Sequence, residues 1–194
     1  MHAMLSLVRM LRRAGARQMD PLQVSMTGVR MGERFLQIGC SDRSLLAGLA
    51  SKVGLSGVSA VATFDEASAA RARAVGARVG ALIDVHVIEP STPLTTEAAG
   101  YDMVVVDDTN GGFAALGASD RAACLRHALR TLRTGGRIEV VEGLGGGLLR
   151  TRIARPEGYD AAGDLGAAGF KPVRVLAEKD GFRFVEGLRA ATSA

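Results

Sequence analysis

Two adjacent carboxylates, Asp107 and Asp108, close the apolar run YDMVVV, where a carboxylate can take a proton from a hydroxyl or amine, or orient it. Successive side chains on a strand point to opposite faces, so at most one of the two faces a pocket. The same pair also suits a turn ahead of Gly111 and Gly112. A second polar segment, Gln37-Ile38-Gly39-Cys40-Ser41-Asp42-Arg43-Ser44, follows the short apolar run beginning at Arg34. Gln37, Ser41 and Asp42 offer polar contacts there, and Arg43 can grip a carboxylate through two parallel hydrogen bonds. In the plainer reading Ser41 or Asp42 caps a helix and Arg43 fills the space a ligand would take or points to solvent. Other chemistries find no pattern. Cys40 and Cys124 form no CxxC, and His2, His86 and His127 lie far apart, which speaks against zinc and against a disulfide framework. The glycine tract Gly143–Gly147 lacks the GxxxxGK[ST] spacing, no GxGxxG follows the first strand, and GxSxG is absent.

These segments need elements to hold them, and strand and helix patterns alternate along the chain. Arg34–Ile38 reads as a strand, followed by a helix through Leu45, Leu46, Leu49 and Val53 that Gly54 and Gly57 end. Val58–Ala62 is a second strand, and Asp65 caps the helix EASAARARAVGA. Leu82–Ile88 is a third, stopped by Pro90 and Pro93. Tyr101–Asp107 has the unbroken apolar run of a parallel strand covered on both faces. A helix from Ser119 or Asp120 to Arg133 follows, ended by Gly135 and Gly136, then a strand Ile138–Val141. Beyond the glycine tract come a basic loop with Arg150, Arg152 and Arg155, a short helix near Tyr159–Ala168, and strands Lys171–Ala177 and Phe182–Leu188. Four residues, Glu178–Gly181, separate the last two strands, which predicts an antiparallel hairpin at one edge. The fold class is α/β: one doubly wound, mainly parallel seven-stranded sheet with helices on both faces.

The chain has 194 residues, 47% of them apolar and 23% charged, enough for one sizeable core. Aromatic residues make up 4%, with no Trp, which excludes a nucleic-acid reader built on base stacking. The net charge of +4 is local: Arg9, Arg12, Arg13 and Arg17 stand in residues 1–17 without an acid, and the rest is neutral. Met4, Leu7, Val8 and Leu11 share a helical face there, so residues 1–19 are set apart from the domain at 20–194 as a basic amphipathic helix. That helix is either a solvated docking helix or a weak contact to an anionic membrane surface. No apolar run spans a membrane and no secretory signal is legible, so the expected setting is the reducing cytoplasm.

The order of these segments is similar to the class I methyltransferases that use S-adenosylmethionine. RFLQIGCSDRSLLAGLA stands in place of that family's glycine-rich first motif, and YDMVVVDD resembles its fourth-strand motif. LRHALRTLRTGGRIEVVEG resembles its helix, glycine turn and strand, and LGAAGFKPVRVL with GFRFVEG its closing strands. The resemblance implies S-adenosylmethionine as cofactor, held by Gln37, Gly39, Cys40, Ser41, Asp42 and Arg43, with Glu89 near the adenine, and Asp107 and Asp108 as catalytic candidates. The family's acid and three glycines fall on Gln37, Gly39, Ser41 and Arg43, so one glycine survives, and its ribose-binding acid falls on Ala62. DDTNG carries no Asn/Asp-Pro-Pro-aromatic motif, which points away from nucleic-acid or protein amide nitrogen and toward a small-molecule acceptor. The alternative is a non-catalytic relative that binds a ligand or partner. The hairpin edge is a candidate homodimer surface.

Overall fold

The central strands form because their residues are apolar on both faces. β1 (Arg34–Ile38) and β4 (Tyr101–Asp108) are almost wholly buried, as parallel strands under two helical layers must be. The computed structural model describes residues 21–94, 100–145 and 153–191; the basic helix expected over residues 1–19, and Arg150 and Arg152, lie outside them. With α1 (Pro21–Met26), α2 (Arg43–Val53), β2 (Val58–Thr63), α3 (Glu66–Val79), β3 (Ile83–Val87), α4 (Ala118–Thr131), β5 (Leu132–Gly143), α5 (Ala161–Ala168), β6 (Val173–Lys179) and β7 (Phe182–Leu188), the order is that of a doubly wound domain.

Seven strands make one sheet in the order β3-β2-β1-β4-β5-β7-β6, parallel except for β7, which runs antiparallel to β5 and β6. One face, with Leu36, Ile38, Val104, Val106, Ile138 and Val140, packs on α4 and α5 through Leu125, Ala128, Leu165 and Phe170 nearby. The other, with Phe35, Val61, Met103, Val105 and Phe184, packs on α1, α2 and α3. No helix among the described residues is long and apolar enough to cross a membrane.

Local chemistry explains most element ends. Asp42 and Asp65 cap α2 and α3 by accepting from the backbone amides of Ser44 and Ser68. The larger differences from the sequence expectation fall at α4, β5 and the final hairpin. α4 ends at Thr131, with Leu132 already extended, and β5 runs through Gly135 and Gly136 to Gly143 rather than starting after the glycines. The final hairpin turns on two residues, not four: Asp180 and Gly181 have φ of 54° and 80°, the twin left-handed conformations of a tight type I′ turn.

One central feature works against stability. Glu139 lies fully buried in β5, directly opposite Glu186 of β7, and neither of its oxygens has a hydrogen-bond partner among the described residues. Burial, with Glu186 adding to it and Arg137 opposing, pushes the Glu139 carboxyl from 4.5 to about 9. Between those values the folded chain keeps a proton that the unfolded chain has lost, so stability falls as pH rises through that window. Glu139→Met is expected to be more stable by about 1–3 kcal/mol near pH 8, with the advantage shrinking toward about pH 5. Urea midpoints of both proteins across this range check it; parallel pH profiles would refute it.

A second prediction comes from the close approach of β4 and β5. A Cβ at Gly143 would stand 2.1 Å from the Thr109 carbonyl oxygen and 2.7 Å from Ile153 Cδ1. Gly143→Ala is expected to cost about 3 kcal/mol, read as a fall in urea midpoint at unchanged slope. Gly166→Ala, in open space within α5, is expected to cost nothing.

Candidate cofactor and acceptor site

The strand order reverses between β1 and β4, and ligands of open α/β sheets sit beyond the carboxyl ends at such a reversal. There Gly39, at φ +81°, turns the chain out of β1; a Cβ on it would lie 3.3 Å from the Asp107 carbonyl oxygen. Its amide donates to the Ala62 carbonyl (2.8 Å), so the turn is also fastened to β2.

Asp107 fixes the loop that follows. Its Oδ2 accepts from the amides of Ser41 (2.7 Å) and Asp42 (2.8 Å), and its Oδ1 from the Thr109 amide (3.2 Å) and hydroxyl (2.6 Å). Burial pushes this carboxyl above its usual range, and those hydrogen bonds pull the other way. A second tie joins the same loops: the Ser41 hydroxyl donates to Asn110 Oδ1 (2.8 Å), which also accepts from the Gly112 amide (2.9 Å).

Asp108 points elsewhere, as alternation along a strand requires. Fully buried, it accepts from the Ala114 amide (3.0 Å) and lies 3.1 Å from Arg155 Nη1 and 3.5 Å from the Tyr159 hydroxyl. Its partner across the sheet is Glu142 at the end of β5, which also pairs with Arg155 Nη1; Arg155 Nη2 donates to the Gly143 carbonyl (2.9 Å). The guanidinium carbons of Arg155 and Arg121 stand 5.2 and 5.1 Å from the Tyr159 ring centroid. Burial raises the carboxyls of Asp108 and Glu142, with Arg155 opposing in both.

The other sequence candidates divide by what their side chains touch. Gln37 is buried and donates to the Gly39 carbonyl (3.0 Å), supporting the loop from beneath. Cys40 is buried in the core, where burial and Asp107 push its thiol up to about 12; its carbonyl accepts from Arg71 Nε (3.0 Å). Asp42 caps α2, while Arg43 and Glu89 are exposed. Ala62 lies inside β2, in the core; the strand ends at Thr63, whose hydroxyl donates to the carbonyls of Asp65 (3.2 Å) and His86 (3.4 Å). Asp65 spends both carboxylate oxygens on Ser68, so no carboxylate is free at the end of β2.

Thus Gln37, Gly39, Ser41, Asp42 and Asp107 gather at one loop, Asp108 faces the neighbouring β5 end, and Glu89 is exposed just beyond the end of β3. Sequence reasoning passed over Glu142 and Tyr159. Glu142 was legible by the rule that marked Asp107, since it closes the apolar run of β5; Tyr159 carried no local signal.

No family model and no curated protein matches the chain. Solved structures do. An S-adenosylmethionine-dependent methyltransferase from Aquifex aeolicus superposes with a TM-score of 0.69 at 20% identity, over 89% of this chain and 90% of that one. The S-adenosylmethionine-dependent methyltransferase SibL, in its apo form, gives 0.63 at 21% identity, over 86% of this chain and 52% of SibL, so this chain spans about half of that protein. The [4+2]-cyclase SpnF gives 0.61 at 15% identity, over 88% and 79%. The strand order and the antiparallel β7 complete the match: the fold of this chain is that of the class I S-adenosylmethionine-dependent methyltransferases.

Proposed function

We propose that the chain transfers a methyl group from S-adenosylmethionine to a small-molecule acceptor in the cytoplasm. The observation that carries this reading is the turn at Gly39, set at the reversal point of the sheet with the amides of Ser41 and Asp42 locked by Asp107. Such a turn lets a ligand approach main chain closely. In this reading Gly39, Ser41 and Asp42 hold the methionyl end, the exposed Arg43 grips its carboxylate, and half-buried Phe64 and Ile88, with Glu89 beside them, take the adenine. The bound cofactor supplies an electrophilic methyl carbon. The chain supplies placement and a water-poor setting, with Asp107 positioning the loop and Asp108 on the acceptor side.

A second reading, a ligand- or partner-binding protein without catalysis, is favoured by the end of β2. Thr63 and Asp65 have committed their polar atoms to the protein, so the ribose lacks a carboxylate partner.

Calorimetry with S-adenosylhomocysteine on unloaded protein separates the two. Micromolar binding is expected, weakened about tenfold in Asp107→Asn through loss of a charge-assisted hydrogen bond worth roughly 1.5 kcal/mol. Melting curves recorded alongside confirm that the variant is folded. Absence of binding at millimolar ligand, with the fold intact, sinks the methyl-transfer reading in favour of the second.

A further inference from the structure

Asp108 and Glu142 are partners on adjacent parallel strands, both fully or nearly fully buried. Two carboxylates so placed repel one another and cannot both ionise without a cation between them. The chain supplies one: Arg155 Nη1 bridges both carboxylates, and Nη2 reaches the Gly143 carbonyl. Glu142 Oε2 is buried without a hydrogen-bond partner among the described residues, with Arg183 Nη1 3.6 Å away. The Tyr159 ring, 5.2 Å from the Arg155 guanidinium, offers a π face that suits any cation.

Arg155 is neither in the sheet nor in a helix. It comes from the irregular stretch between β5 and α5, its side chain is 18% exposed, and Ile153 of that stretch rests on the bare backbone of Gly111 and Gly143. Withdrawing the guanidinium therefore breaks side-chain contacts without breaking a strand pair. A neutral hydroxyl acceptor entering here would leave Asp108 without its cation and Glu142 with Arg183 alone, whereas a cation replaces charge with charge.

We propose that the methyl acceptor is a small organic cation, an amine or guanidine, which takes the place of the Arg155 guanidinium between Asp108 and Glu142. The proposal rests on the methyl-transfer reading above. For an amine, the ammonium nitrogen gives one proton to a carboxylate of the pair and its freed lone pair takes the methyl group. The N–C bond formed replaces the S–C bond broken, S-adenosylhomocysteine leaves with the sulfur electron pair, and the proton passes from the carboxylate to water.

The test uses the full chain, its Arg155→Met variant, which keeps the stem and loses the charge, and the double variant with Glu142→Gln. Methylguanidinium and ethylammonium are the probes, titrated by calorimetry with and without S-adenosylhomocysteine. Arg155→Met is expected to bind methylguanidinium about tenfold more tightly than the unaltered chain, and Glu142→Gln to cancel that gain. Should Arg155→Met fail to fold, Arg155→Lys, which keeps a cation but not the forked geometry, is expected to show a gain of about threefold. In a companion assay with labelled S-adenosylmethionine, the unaltered chain is expected to methylate amines from a panel that also holds phenols and carboxylic acids. Equal cation binding by all variants overturns the seat. Methylation of a phenol or acid but of no amine overturns the acceptor class and leaves the methyl-transfer reading standing. Cation binding without any S-adenosylhomocysteine binding overturns the acceptor role together with that reading.

Discussion

One buried carboxylate holds together the loops at the ends of β1 and β4. Asp107 accepts four hydrogen bonds, two from the loop after β1 and two from Thr109, so both loops hang on the same group. Burying a carboxylate is costly, and only a full set of donors offsets it. The arrangement is thus self-consistent in one geometry. If the Ser41 and Asp42 amides move, Asp107 is left buried and underbonded; if Asp107 moves, the amides lose their acceptor. The Gly39 turn, the cap of α2 by Asp42 and the Ser41–Asn110 bond all inherit their positions from that constraint.

The neighbouring carboxylates follow a different logic. Asp108 and Glu142 are held by a side chain from outside the sheet, Arg155, rather than by main-chain donors alone. The Ser41 and Asp42 amides come from the loop between β1 and α2, while Arg155 brings a side chain from an irregular stretch. The two halves therefore differ in kind: the β1 side is held through main-chain amides, and the β4–β5 side is balanced by charge. Alternation along one strand is enough to produce the difference, because it sends Asp107 and Asp108 to opposite faces.

Much of this was legible in the sequence. The unbroken run of β4, the cap Asp65 and the order of strands and helices follow from periodicity and first-turn chemistry, and the structure places them as expected; of the two readings left open for Asp42, it takes the capping one. The end of α4 was not legible, because Gly135 and Gly136 read as a helix stop when β5 in fact carries them within a long strand. The two-residue hairpin was missed although the Asp180-Gly181 dipeptide favours it locally, because β6 was read as ending at Ala177 when it continues to Lys179. Asp107 and Asp108 were singled out and alternation sent them to opposite faces, but their partners were not legible, since those depend on which loop lies beside each. Tyr159 and Arg155 reach the site across the fold from beyond β5, and no local spacing connects them to Asp108.

The bare glycines at the strand ends have a consequence for anyone rebuilding this end of the sheet. Gly39, Gly111 and Gly143 bring three stretches of backbone together, and a Cβ at each would meet Asp107, Ile153 and Thr109 respectively. These three positions set how closely the strand-end loops approach, whereas the exposed Arg43 stands clear of that framework. A saturation library at Arg43 that leaves the three glycines untouched would change the chemistry beside the loop while preserving its backbone. The fold thereby separates residues that can be redesigned from residues that cannot.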